Sequence, residues 1–332
     1  MLDPAQLPFQ QVLEALLDEK HILKPINLYR LSGLEGEERE LLAKHWNDIP
    51  ARRRRALIQD LELFAEADPL LCYEPVARIG LQDSDPEVRL VSIRLLWDED
   101  SPNLEHVLLD MLENDEDERV RAGAGSALGH FVYLGECEKI PEHTLREIEE
   151  RLLATVRGDE HPLVRRRALE ALGFSGRPEV TGLIENAFLS DDDEWIASAL
   201  FAMGRSYNQR WHNDVLEMLD SHNPRIRMEA ARAAGELEIK AAVSTLRYLL
   251  DDADAEVRMA AIWSLSQIGG EGVAEALEAL LDLSEDPEEI EHLEAALDNL
   301  AFNEEFLSFP LFDFSEDDLS SLHEINDDTG GF

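Results

Sequence analysis

The side chains of this chain whose type and spacing could do chemistry are adhesive rather than reactive. Arg166, Phe201, Met228, Arg232, Met259 and Trp263 recur at related intervals, and Tyr207 and Trp211 share the short stretch 205–212 with two arginines. Arg, Met and aromatic residues are the types enriched in the cores of protein–protein interfaces, so these eight form the candidate partner-binding set. Reactive constellations do not emerge. The ten histidines are scattered, and Cys72 and Cys137 stand apart, neither in a C-x-x-C pair, which indicates no disulfide framework and no zinc site. No glycine-rich loop is placed to cradle phosphate and no nucleophile is set beside a base. The reading assigns no catalytic, cofactor-binding or metal-ligating residue and points away from an enzyme.

What must position the adhesive residues is a repeat. Six anchors, Val88, Val120, Val164, Trp195, Ile226 and Val257, each head the same pattern, and the last four are spaced by 31 residues. A fixed period of this size marks stacked supersecondary units. With the anchor as position 0, positions 0, +4 and +8 are apolar or small, which puts them on one face of a helix. Position −3 holds Asp85, Asp117, His161, Asp192, Asn223 and Asp254, five of them good N-cap types. Pro86, Pro162 and Pro224 occupy −2, where a first helical turn accepts proline. Gly129, Gly173, Gly204 and Gly235 follow the helix and are expected to form left-handed stops. Position +1 is Arg89, Arg121, Arg165, Arg227 and Arg258, with Ile196 in the fourth unit. A periodic Arg beside a periodic turn Asp predicts a ladder of charge-assisted bonds between successive turns. A second apolar-periodic stretch precedes each cap, as in 104–112, 145–156, 180–189, 215–219, 241–250 and 273–281. The unit is helix, acidic turn, helix, glycine turn.

The stretches 83–89 (Asp-Ser-Asp-Pro-Glu-Val-Arg) and 159–173 resemble HEAT repeats, and more narrowly the HEAT-like repeats named after phycobilisome lyases, over roughly residues 68–300. The resemblance implies an all-α fold, a right-handed α-solenoid of stacked helix-turn-helix units. That family includes bilin lyase subunits, an iron-dependent hydroxylase of deoxyhypusine and scaffolds. The hydroxylase carries symmetric His-Glu pairs as iron ligands. Here Glu142-His143, Glu160-His161 and Glu291-His292 have reversed order, and His323-Glu324 lies near the end of the chain, so the symmetric set is missing. The expected function is a non-enzymatic protein-interaction scaffold with no cofactor. A lyase-like, cofactor-handling protein is the alternative, and the hydroxylase stands behind it.

In such an array, positions +2 and +6 face away from the core and are expected to line the inner surface, the usual binding face. Arg166, Phe201, Met228, Arg232, Met259 and Trp263 belong to this row. The other possibility is that they fill the groove between units, and that Tyr207 and Trp211 plug a junction. Residues 1–67 lack the anchor but read as helices over 9–17, 35–46 and 50–65, a degenerate N-terminal capping region. Within it, Arg52–Arg55 form a basic run, read either as a solvated, locally paired helix or as a docking patch for acidic chain. The interval from Val120 to Val164 is 44 residues, and the excess, 130–142, is read as an inserted loop. Residues 68–300 form the repeat array, and 301–332 an acidic, Phe-rich tail expected to be partly disordered.

The chain has 72 acidic and 30 basic residues, a net charge of −42. Such a chain lacks the cations that nucleic acid binding requires and is repelled by anionic membrane surfaces. The expected partner is a protein or a basic peptide, with solubility as the plainer account of the charge. Residues 259–332 hold 20 acidic side chains and no Lys or Arg. No apolar run reaches the ~18 residues of a membrane span, no basic leader opens the chain, and two unpaired cysteines suit a reducing compartment; the expected location is cytoplasmic.

Overall fold

The computed structural model describes residues 4–101 and 103–307. These form an all-α solenoid fold, without a strand among the described residues, and divide into two compact units, 1–202 and 203–332. The first holds α1 (Phe9–Leu17), α2 (Pro25–Arg30), α3 (Gly36–His45), α4 (Ala51–Ala67), α5 (Glu74–Gly80), α6 (Pro86–Arg94), α7 (Leu104–Asn114), α8 (Glu118–Glu136), α9 (Glu142–Arg157), α10 (Pro162–Ala171), α11 (Pro178–Phe188) and most of α12 (Asp193–Arg205). The second holds α13 (His212–Met218), α14 (Pro224–Glu236), α15 (Val243–Leu249), α16 (Ala255–Ile268), α17 (Val273–Leu281) and α18 (Pro287–Leu307). No described helix is long and apolar enough to cross a membrane. The tail reading for residues 308–332 falls outside the described residues.

The anchors are core. Val88, Val120, Val164 and Val257 are fully buried, and so are Ala124, Ala168, Ala199, Ala230 and Ala261 at +4. The small +4 residue lets neighbouring helices approach, and α8 packs on α10 in the first unit as α14 packs on α16 in the second. All six −3 residues cap their helices. Asp85, Asp117, Asn223 and Asp254 accept from the backbone N–H two residues on, as does Asp192. His161 does the same with Nδ1, at 3.3 Å from Leu163 N, so an imidazole nitrogen stands where the other repeats have a carboxylate or amide.

The +1 arginines form the expected ladder, in two-sided form. Each guanidinium donates to the carbonyl six residues back in its own turn and to a carboxylate of the following turn. Arg89 joins Asp83 O (2.8 Å) to Asp115 (2.7 Å twice). Arg121 joins Asp115 O to Glu160, Arg227 joins Ser221 O to Asp252, and Arg258 joins Asp252 O to Glu289. Only a planar fork with several donors can hold both ends. Arg165 departs from this: it donates to Val156 O and lies over the Trp195 ring, 5.4 Å from its centroid. The turn ahead of it carries Ser190 where Asp115 and Asp252 stand in the turns ahead of Arg89 and Arg227.

The N-terminal segment belongs to the same scheme. Arg54 stands four residues past the Pro50 cap, the +1 place, and donates to Asp83 Oδ2 (2.5 Å), Asp83 Oδ1 (3.2 Å) and Ile49 O (2.5 Å). The basic run thus divides its work: Arg53 holds the carbonyls of Asp18 and His21, Arg55 pairs with Asp85, and Arg52 is exposed. One hydrophobic cluster runs from Phe9 through Leu42, Trp46 and Leu57 to Val88 and Val91, so these helices share a core with the first anchored unit.

Two expectations fail here. The excess between Val120 and Val164 is not a loop over 130–142. It lengthens α8 to Glu136, where Phe131, Val132 and Leu134 are buried and Tyr133 meets Phe174 at 5.2 Å between ring centroids. Nor do Gly129, Gly173, Gly204 and Gly235 adopt left-handed backbone; the positive φ angles fall on Asn103, Glu138, Tyr207 and Glu238 and on Gly33, Gly36, Gly269, Gly270 and Gly272. The turn in the last repeats comes three residues after Gly204, Gly235 and Ser266, at Tyr207, Glu238 and Gly269. Glu238 holds φ +49° while Ile239 N reaches back to Ala234 O, the Schellman arrangement. A left-handed L-residue costs about 1–2 kcal/mol, part of which glycine loses again to its freer unfolded chain. Glu238→Gly is therefore expected to stabilise the protein by about 0.5–1 kcal/mol, read as a higher melting temperature; a lower one would show that the glutamate side chain has a role of its own.

Candidate interaction surface

At 100° per residue, positions +2 and +6 lie on one side of each second helix, opposite the anchor face. In the first unit the part of this row on α10 is closed off by its own polar contacts. Arg166, on α10, is 9% exposed and its Nη1 is paired with the Glu194 carboxylate. Glu170, one turn on, is buried and accepts from Ser198 Oγ (2.7 Å) and Arg167 (2.5 Å). Ala197 is buried and Phe201 half-buried. The row here binds helix to helix.

In the second unit the same positions are more open. Met228 on α14 and Met259 on α16 are half-buried, and Arg232 is exposed. Trp263 is 39% exposed and its ring lies against Gly235, where an added Cβ would come within 2.7 Å of Cζ3. The missing side chain at 235 is what seats the indole between α14 and α16. The glycine at this place thus serves close approach rather than a turn.

Tyr207 and Trp211 part company. Tyr207, in left-handed backbone at the end of α12, is 70% exposed. Trp211 closes a 3-10 turn opened by Asn208, whose side chain accepts from Arg210 N, and is 2% exposed with the Arg210 guanidinium 4.3 Å from its ring centroid. Its indole is shut off from the surface. The sequence does not distinguish the two aromatics, because the choice depends on where the turn directs each side chain.

An exposed tryptophan also lies outside the row. Trp97 is 67% exposed and sits at position +9 of the first anchored unit. The other units carry Gly129, Gly173, Gly204, Gly235 and Ser266 there, all buried. That column was legible in the sequence and marks Trp97 as the exception. No indole fits a place built for glycine, so α6 stops at Arg94 and turns follow over 95–98.

A family model described as HEAT repeats matches residues 74–142 and 212–298. These two regions of the chain match HEAT repeats. The matched HEAT regions fall one in each compact unit. No curated protein matches the chain. Among solved structures, YibA of Escherichia coli is 20% identical, with 86% of this chain and 99% of that one covered at a TM-score of 0.42. Human deoxyhypusine hydroxylase is 19% identical, with 89% and 96% covered at 0.37. The CpcE–CpcF complex of phycocyanin lyase from Nostoc is 18% identical, with 68% and 94% covered at 0.46.

Proposed function

We propose that this protein is a non-enzymatic, cytoplasmic scaffold that binds a protein or peptide partner on the face carrying Met228, Arg232, Met259 and Trp263. The observation that carries the reading is Trp263, which keeps 39% of its surface exposed beside an exposed Arg and two half-buried Met. Tryptophan and arginine are the residues most often found at binding hot spots, and methionine adapts its shape to a partner. Supporting this, the regular positions of the array are occupied by caps, core and ladder, which leaves departures such as this one to carry recognition. Tyr207, in the same unit, is an exposed residue upstream of this face.

Immobilised full-length protein is expected to capture a partner from lysate of its native host, identified by mass spectrometry. A Trp263→Ala, Arg232→Ala double variant with an unchanged circular dichroism spectrum is expected to lose that partner. Full retention by the double variant would remove this face from consideration.

A further inference from the structure

A cleft of about 770 Å³ opens in the first unit between the end of α4, the segment 69–74 and the turns that follow α6. Its walls include Trp97, Leu71 and Leu95, and its charged residues are Glu62, Glu66, Glu74, Asp98, Glu99 and Arg94. Arg94 does not neutralise the group, because its guanidinium is held by both oxygens of Glu62 at 2.5 and 2.8 Å. Glu74 is bound to Arg78. Glu66, Asp98 and Glu99 make no ion pair among the described residues. Burial, together with the charges of Glu74, Asp98 and Asp100, pushes the Glu99 carboxyl above its ordinary range. This is a site where acids crowd one another and a cation would relieve them.

Two further features point to a ligand. Tyr73, one of the cleft's walls, is 3% exposed, and its buried hydroxyl has no hydrogen-bond partner among the described residues; a buried donor left unmade is costly and rare. Trp97 presents an indole where five other units bury a glycine or serine, so its exposure is specific to this unit. An aromatic face beside carboxylates suits a guanidinium or ammonium, which gains from the ring quadrupole and from charge at once.

We infer that this cleft binds a positively charged peptide segment, with an Arg or Lys side chain laid on Trp97 and held by Glu66, Asp98 and Glu99. The chain's own C-terminal segment is excluded as the occupant, since residues 259–332 contain no Lys or Arg. The inference is independent of the α14–α16 surface.

The test titrates a fluorescein-labelled tetra-arginine peptide with the full-length protein at physiological salt. Trp97→Ala and the Glu66→Gln, Glu99→Gln pair are each expected to weaken binding about tenfold. Glu275→Gln, Glu278→Gln removes the same charge from exposed positions of α17 that do not line the cleft and should leave affinity within about twofold. The matching tetra-citrulline peptide, uncharged but similar in shape, should not bind. Absence of binding to the wild-type protein, equal binding of the citrulline peptide, or equal weakening by the α17 pair would each overturn the inference, the last by showing attraction to net charge alone. Circular dichroism and melting temperature establish that each variant is folded, and the charge-only pair keeps the test valid should Trp97→Ala perturb the turn.

Discussion

Replacing Asp83 by alanine is expected to cost about 3–5 kcal/mol of unfolding free energy, the range for breaking a buried ion pair from one side. The Asp83 side chain is wholly buried and that of Arg54 is 7% exposed. The carboxylate accepts from Arg54 Nε, from Trp46 Nε1 at 2.6 Å and from the backbone N–H of Asp85 at 2.8 Å. Alanine would strand a guanidinium and an indole N–H in the core and loosen the turn that opens α6. Urea unfolding measures the loss. Glu113→Ala, which breaks the exposed pair with Arg151, should cost less than about 1 kcal/mol, and an equal cost for both would mean that burial is not what gives the Asp83 pair its strength. The pH dependence follows the same contacts. Burial pushes the Asp83 carboxyl up, but the bonds from Arg54, Asp85 N and Trp46 together with the Arg54 charge outweigh it and hold the group below its ordinary value. A group depressed in the folded state stabilises fully above its unfolded pKa of about 3.9 and loses that contribution as pH falls through the folded value. The gap in stability between wild type and Asp83→Asn should therefore narrow below about pH 3.9.

Gly235→Ala is expected to cost about 1–3 kcal/mol, the usual penalty for overpacking a close contact. The new Cβ would stand 2.7 Å from Trp263 Cζ3, 2.8 Å from Ser264 Oγ and 2.9 Å from Ser264 Cα. The indole can swing outward, but the Ser264 backbone cannot move without parting α16 from α14, and Ser264 Oγ is itself bound to Ala231 O at 2.7 Å. Fluorescence of Trp263 should shift to longer wavelength as the ring becomes wetter. Gly182→Ala, in the middle of α11 with nothing within 4 Å of the added Cβ, should instead stabilise by about 0.5–1 kcal/mol, the helix penalty of glycine. If both substitutions stabilise, the α14–α16 approach is looser than these distances require. Because the same substitution displaces Trp263, it should also weaken capture of the proposed partner.

The sequence by itself determined whatever is settled within a few residues. Helix α1 spans Phe9–Leu17 and α17 spans Val273–Leu281, as their periodicity predicts. Six caps and the arginine ladder follow from residues repeated at one offset from each anchor, because a cap needs only its own first turn and a helix face only its own spacing. What packs across thirty or more residues was decided by the tertiary structure. At Gly204 and Gly235 the next repeat's helix comes too close for a side chain, and the turn there falls to Tyr207 and Glu238. The residues after Val120 could continue α8 because a core exists to receive Phe131 and Val132. Of four consecutive arginines only Arg54 meets a buried carboxylate, 29 residues away. Arg166 and Trp211 are buried while Trp263 and Trp97 are not, since the exposure of a side chain depends on which helix arrives beside it, and no local pattern contains that information.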